Sequence, residues 1–263
     1  MRKYLFIFKS EVMSSLQYVF NVVVSFASYI IMIFIFLNLW KYIYSDPSQL
    51  INGYTMNQMI WYVIITEILW MALGGRKLCR KICADVRGGN IAYNINKPYS
   101  YIGYCLASHL GNIAIKGVMY ILLGMIIGFL FIGSFPNLNI LSILAIFITG
   151  CLATIISILL ITFIGLFSFI IEDAGPFYWL YSKFILIIGT MFPIEYFPTA
   201  VQPFLTFSPV YVVSYGPAKL FVDFTWSGFL AIIVAQIIYT AIGYWLCTLL
   251  YKKGVKNLNV NGG

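Results

Sequence analysis

The chain has 263 residues, of which 62% are hydrophobic and 9% charged. Soluble domains run near 45–50% apolar and about 25% charged, so this composition excludes a soluble enzyme and indicates an integral membrane protein. The net charge of +8 suits anionic lipid headgroups rather than nucleic acid, because no polar stretch is long enough to form a basic domain of its own.

In chain order, residues 1–18 read as an interfacial helix. Leu5, Phe8, Val12, Leu16 and Val19 share one helical stripe, with Lys3, Ser10, Ser14, Gln17 and Asn21 opposite. An amphipathic helix lying at the membrane surface has this pattern; a fraying start to the first span is the alternative. Lys9, Ser10 and Glu11 interrupt the apolar run and no small-residue cleavage site follows, so the segment is not read as a signal peptide.

A spanning helix needs about 20 mostly apolar residues. Six segments qualify: 19–40, 56–75, a stretch within 101–132, 140–171, 176–192 and 228–251. The expected fold is therefore all-α, with six transmembrane helices in one membrane domain. Arg2, Lys3 and Lys9, the basic run from Arg76 to Lys97, and Lys252, Lys253 and Lys256 then lie on one side. Lys41, Lys219, Asp46, Glu195 and Asp223 lie on the other. Positive charge marks the cytoplasmic side, which places both termini there.

The segment 76–100 becomes the largest cytoplasmic loop. "RKLCRKIC" reads as a short basic helix, Gly88 and Gly89 as a sharp break, and Pro98 as the stop before the third span. A solvated loop that only sets topology explains the charges. It leaves the glycine pair and the apolar Ile91, Tyr93 and Ile95 unexplained, and these suit a docking element.

Several single residues stand out. Glu67, mid-way along the second span, is costly there and by default functional or paired. Lys116 and Lys183 lie early in the third and fifth spans. Glu172 and Asp173 close the fourth span ahead of Gly175-Pro176, where a new helix starts; contact with the basic loop or a partner is the alternative. His109, the only histidine, reads as packed or interfacial. Gly124 and Gly128 permit close helix packing. Trp61 fits an aromatic belt. The five scattered cysteines suggest no disulfide framework, and Cys79 and Cys83 lack the further ligands a metal needs. Residues 193–226 are too apolar for a solvated loop and too proline-rich for a span. A re-entrant hairpin that caps the pathway as an outer gate fits, with Pro193, Glu195, Phe197, Pro198 and Pro209 as its candidate residues. A plain interfacial segment is the alternative.

The loop "VRGGNIAYNINKPYSY" and the proline-spaced "MFPIEYFPTAVQPFLTFSPVYVVSYGPAKLF" resemble the corresponding segments of bacterial ABC-2 type transporter permeases, in particular short six-span permeases encoded apart from their ATPase. The resemblance covers the topology of the whole chain and about 50 residues of recognisable motif. It implies a half-transporter: two permeases form the pathway and two separate ABC ATPase subunits drive it. The loop would then be the coupling element in the ATPase cleft, carried by Arg80, Lys81, Asp85, Arg87, Gly88, Gly89, Asn90, Lys97 and Pro98. The resemblance also implies that spans two and five line the pathway, so Trp61, Glu67 and Lys183 become pathway candidates. Glu67 and Lys183 would pair within the chain or across the dimer; a structural pair or a snorkelling lysine is the alternative.

The chain has no G-x-x-x-x-G-K-[ST] loop, so ATP and Mg are expected on the partner, with no cofactor, metal or catalytic residue in this chain. The expected protein is a multi-pass subunit of a bacterial inner or plasma membrane exporter, paired with a second copy or, preferably, a sister permease. Its aromatic, charge-poor spans favour an amphiphilic cargo: a drug, a lipid-like molecule or a hydrophobic peptide. An ATP-independent secondary transporter or channel is the alternative, although the inverted repeats usual in secondary transporters are not evident.

Overall fold

A computed structural model describes residues 2–17, 19–44, 46, 49–133, 136, 138–171 and 173–261. Glu172 and the side chains of Val19, Asn21 and Ile95 lie outside what is described. The described residues form α1 (Arg2–Leu16), α2 (Val19–Ile43), α3 (Met56–Leu73), α4 (Arg76–Arg87), α5 (Asn90–Ile95), α6 (Tyr101–Ile132), α7 (Ile140–Leu166), α8 (Gly175–Phe184), α9 (Gln202–Thr206), α10 (Gly216–Val222) and α11 (Trp226–Asn261). Two wider π turns, Ile185–Met191 and Tyr211–Tyr215, continue α8 and precede α10.

Helix starts follow local chemistry. Thr55 caps α3 in a capping box with Gln58. Ser100 and Asn139 cap α6 and α7. Pro176 lies in the first turn of α8, where its missing N–H costs nothing.

Among the described residues, five helices are long and apolar enough to cross a membrane. The remaining expected span falls on residues 175–191, where ten residues of α8 and seven of the π turn run on continuously.

The core sits where α2, α3 and α6 meet. Tyr29, Ile33, Phe36, Leu37 and Trp40 form a buried stripe at helical spacing on α2. α3 runs antiparallel to α6. Gly128 faces Trp61, Gly124 faces Ile64 and Ile68, and His109 Nε2 lies 2.8 Å from the Leu73 carbonyl. The Gly124/Gly128 pair therefore serves packing inside the chain. α11 runs alongside α7, tied by Gln236 Nε2, which donates to the Thr149 carbonyl at 3.0 Å and to that of Val212 at 2.8 Å.

α1 docks along the first half of α6 through Tyr4, Phe8, Glu11 and Ser15. A side chain at Gly111 would meet the Phe8 carbonyl, and Ser108 Oγ donates to Glu11 at 2.8 Å. Leu5 and Leu16, two members of the expected stripe, are exposed beside Phe6 and Met13. The packed face is thus rotated about one residue from the stripe, and the outward apolar side chains suit a lipid surface.

Candidate functional site

Three features share the molecule: a basic amphipathic helix at one end, a cleft that opens beside it, and a packed proline-rich segment at the far end.

α4 follows α3 after only Gly74 and Gly75. Gly74 takes the left-handed conformation, φ +38°, which glycine adopts without penalty. Gly75 lies so close to α7 that a Cβ there would stand 2.2 Å from Ile161 Cδ1. The chain thus turns from α3 into α4 on a two-glycine pivot. The sequence reading assigned these residues to the end of a span.

One face of α4 is buried through Leu78, Cys79, Ile82, Cys83 and Val86. Ile82 seats against Gly165 of α7, where any side chain would collide with its Cβ at 2.9 Å. The opposite face exposes Arg76, Lys77, Arg80, Lys81 and Arg87. Lys81 Nζ lies 2.6 Å from the Tyr104 hydroxyl, Tyr101 donates to Asp85 at 2.8 Å, and Arg87 pairs with Asp173 at 3.0 Å. Asp173 therefore touches the basic element. Gly89, at φ +69°, makes the break into α5. Asn90 opens α5, and Lys97 and Pro98 remain exposed beyond it. The Lys3 ammonium reaches the Pro98 carbonyl. The nine candidate coupling residues thus run along one stretch of chain made of α4, the Gly88–Gly89 break, α5 and the exposed segment after it. Of the apolar residues beside them, Ile91 is buried within the chain, while Tyr93 is 74% exposed.

The cleft, about 270 Å³, runs between the last two turns of α3 and the start of α8. Arg76 lines one end, and Val213 and Ser214 of the second π turn line it as well. Ser157, Tyr178, Tyr181 and Ser182 supply hydroxyls.

A hydroxyl lattice lies next to Ser214. The Gly189 carbonyl, in the π turn after α8, accepts from Tyr62 at 3.0 Å and from Ser214 at 2.8 Å. Thr66 donates to the Thr190 carbonyl at 3.1 Å. These bonds join α3, the end of α8 and the 211–215 turn. Gly189 admits this approach because a Cβ would meet Ser214 Cβ and Val210 Cγ1, both at 2.9 Å. Tyr62→Phe leaves Ser214 as donor and is expected to cost about 1 kcal/mol. Adding Ser214→Ala removes both hydroxyls from Gly189 and should cost more than the two singles summed. Unfolding of the purified protein in lipid nanodiscs measures both.

Beyond the lattice, residues 193–222 fold back into the protein. Pro193 is buried, Pro209 is half-buried, and Pro198 is exposed. Glu195 accepts from Tyr215 at 2.6 Å and lies 3.8 Å from Lys219, which also meets Asp223 at 3.0 Å. Tyr44 donates to the Tyr54 carbonyl, and its oxygen lies 2.8 Å from that of Tyr196. Burial raises the Tyr54 phenol far above its ordinary range, with Tyr215 and Glu195 beside it adding to the effect. Burial likewise raises Tyr196. Phe197 accepts from Gln202 through its carbonyl.

The three pathway candidates do not share one cavity. Trp61 is buried against Phe221 and borders a second, outer cavity of about 480 Å³. Glu67 is fully buried, and neither of its oxygens has a hydrogen-bond partner among the described residues. Lys183 is exposed on α8. No ion pair joins Glu67 to Lys183 within the chain. Thr66, one residue earlier, is the one that faces the 185–191 turn, and a step of one residue turns a helix by about 100°.

Long apolar helices around a cleft, with a charged helix at its mouth, define a multi-pass membrane transport protein. The chain belongs to a family described as ABC-2 family transporter protein, whose family model matches residues 27–262. No curated protein matches it. Permeases of this family are membrane components that generally pair with a separate ABC ATPase subunit.

Proposed function

We propose that the chain is one of two permeases in an ATP-driven exporter, crossing the membrane six times with both termini and α4 in the cytoplasm. The placement of the cleft carries this reading: it opens beside the basic helix α4 and ends at the hydroxyl lattice. In this reading the cleft faces inward, and the 193–226 segment is a re-entrant outer gate. The basic surface of α4, with the exposed end of α5 and Lys97 beyond it, docks in the cleft of a separate ATPase, which holds ATP and Mg.

Nucleotide binding there draws the ATPase subunits together and pulls on α4. The buried face of α4, locked on α7 through Ile82, makes it a rigid lever. The Gly74–Gly75 pivot lets that lever swing against α3. Motion of α3 loads the bonds that Tyr62 and Thr66 make to the end of α8, and Ser214 passes the motion to the gate. An equilibrium between inward and outward forms follows, and ATP shifts it.

The cargo is amphiphilic, the second permease is a sister chain, and the location is a bacterial plasma membrane. Purification from native membranes, followed by transport in proteoliposomes, tests the reading. An ATPase should co-purify, and a fluorescent amphiphile should move only when that subunit and ATP are present. Movement by the purified permease without ATP would overturn it in favour of a secondary transporter or channel.

A further inference from the structure

The chemistry of the inner cleft selects among amphiphiles. We infer that it takes an anionic amphiphile, with a phosphate or carboxylate head at Arg76 and an apolar tail directed between α3 and α8.

Arg76 carries the only formal charge among the residues that line the cleft. It makes no ion pair among the described residues, so its guanidinium is free to receive an anion in bidentate geometry. The first turn of α4 starts at the same rim, where Gly75 gives no side-chain cap and the Tyr178 hydroxyl lies against the Arg76 N–H, so the arginine side chain and not the helix start supplies the anion's partner. Asp173, the described acid ahead of α8, is engaged with Arg87.

Apart from Arg76 the lining changes character: Leu69, Trp70, Ile161 and Ile185 form apolar walls, and hydroxyls rather than charges supply the polar points. A cavity of about 270 Å³ lies just below the usual range for drug-sized ligands, roughly 300–1,000 Å³. It therefore holds a headgroup and the first part of a tail, with the rest left outside.

The inference rests on the proposed function only in taking this cleft as the cargo's inner site, and it is tested without the ATPase. Permease in neutral phosphatidylcholine nanodiscs is titrated with dodecyl phosphate, with Trp70 emission as the readout and Trp70→Phe as the signal control. Dodecyltrimethylammonium and inorganic phosphate are the comparison probes. Dodecyl phosphate should saturate the signal and bind at least about tenfold tighter than either. Arg76→Gln should remove that preference, and Arg76→Lys should keep part of it. Equal binding of the cationic and anionic amphiphiles, or an unchanged preference in Arg76→Gln, would overturn the inference. Inorganic phosphate binding as tightly as dodecyl phosphate would also overturn it, by showing an anion site without a tail site. None of these outcomes bears on whether ATP drives transport, which the proteoliposome experiment decides separately.

Discussion

Reversing charge at Arg80 and Arg87 together is expected to abolish ATP-driven transport while the permease still folds and reaches the membrane. Both side chains are exposed on α4, and like-charge contacts across an interface cost several kcal/mol. An affinity loss of about 100-fold or more for the ATPase follows. Surface plasmon resonance against the purified ATPase measures it. Arg87 has a second contact, its ion pair with Asp173, but both groups are at least half exposed, and such pairs contribute about 1 kcal/mol or less. Adding Asp173→Arg to the double variant restores the opposite-charge pair in reversed order. It should not restore ATPase binding. Recovery would show that the internal pair, and not docking, is what Arg87 provides.

Gly128→Val should produce the largest loss of stability among single substitutions in α6. A Cβ at this position would lie 2.2 Å from the Trp61 ring, and Trp61 is only 1% exposed, with the Phe221 ring 5.3 Å away. Moving the indole toward the neighbouring cavity would strip it from the Phe221 ring and expose it, so overpacking costs about 1–3 kcal/mol. Gly150→Val is the control, since a Cβ there meets nothing within 4 Å. Thermal unfolding in nanodiscs should fall sharply for the first and little for the second. Trp61→Leu combined with Gly128→Val should recover part of the loss by making room, an interaction a double-mutant cycle reads directly.

The parts of this fold that were legible in the sequence are those that composition and spacing encode. Long Ile- and Leu-rich runs announce spanning helices because each must satisfy its own backbone in lipid. Gly88-Gly89 and Pro98 announce the break and the stop around α5. Lys-Pro and the spaced prolines carried the family resemblance. The pivot at Gly74-Gly75 was hidden because two glycines at the end of an apolar run look like the end of a span. The π turns left no signal, since one extra residue per turn over a few residues does not alter hydrophobic periodicity. The cleft was equally hidden, because Leu69, Ser157, Tyr178 and Ser214 come from four separate segments. Matching Glu67 to Lys183 followed from the resemblance that sets spans two and five along the pathway, which does not fix which face of the helix a side chain occupies; within the chain the two do not pair.

The carbonyls of Gly189 and Thr190 rely on hydroxyls from α3 and from the 211–215 turn, and this bears on biosynthesis. The 175–191 stretch carries a lysine and a widened turn, so it is a poor candidate to partition into lipid by itself. In the six-span reading its stable insertion waits for these hydroxyls: α3 leaves the ribosome more than a hundred residues earlier and offers Tyr62 and Thr66 in time, while Ser214 joins only once the 211–215 turn has emerged.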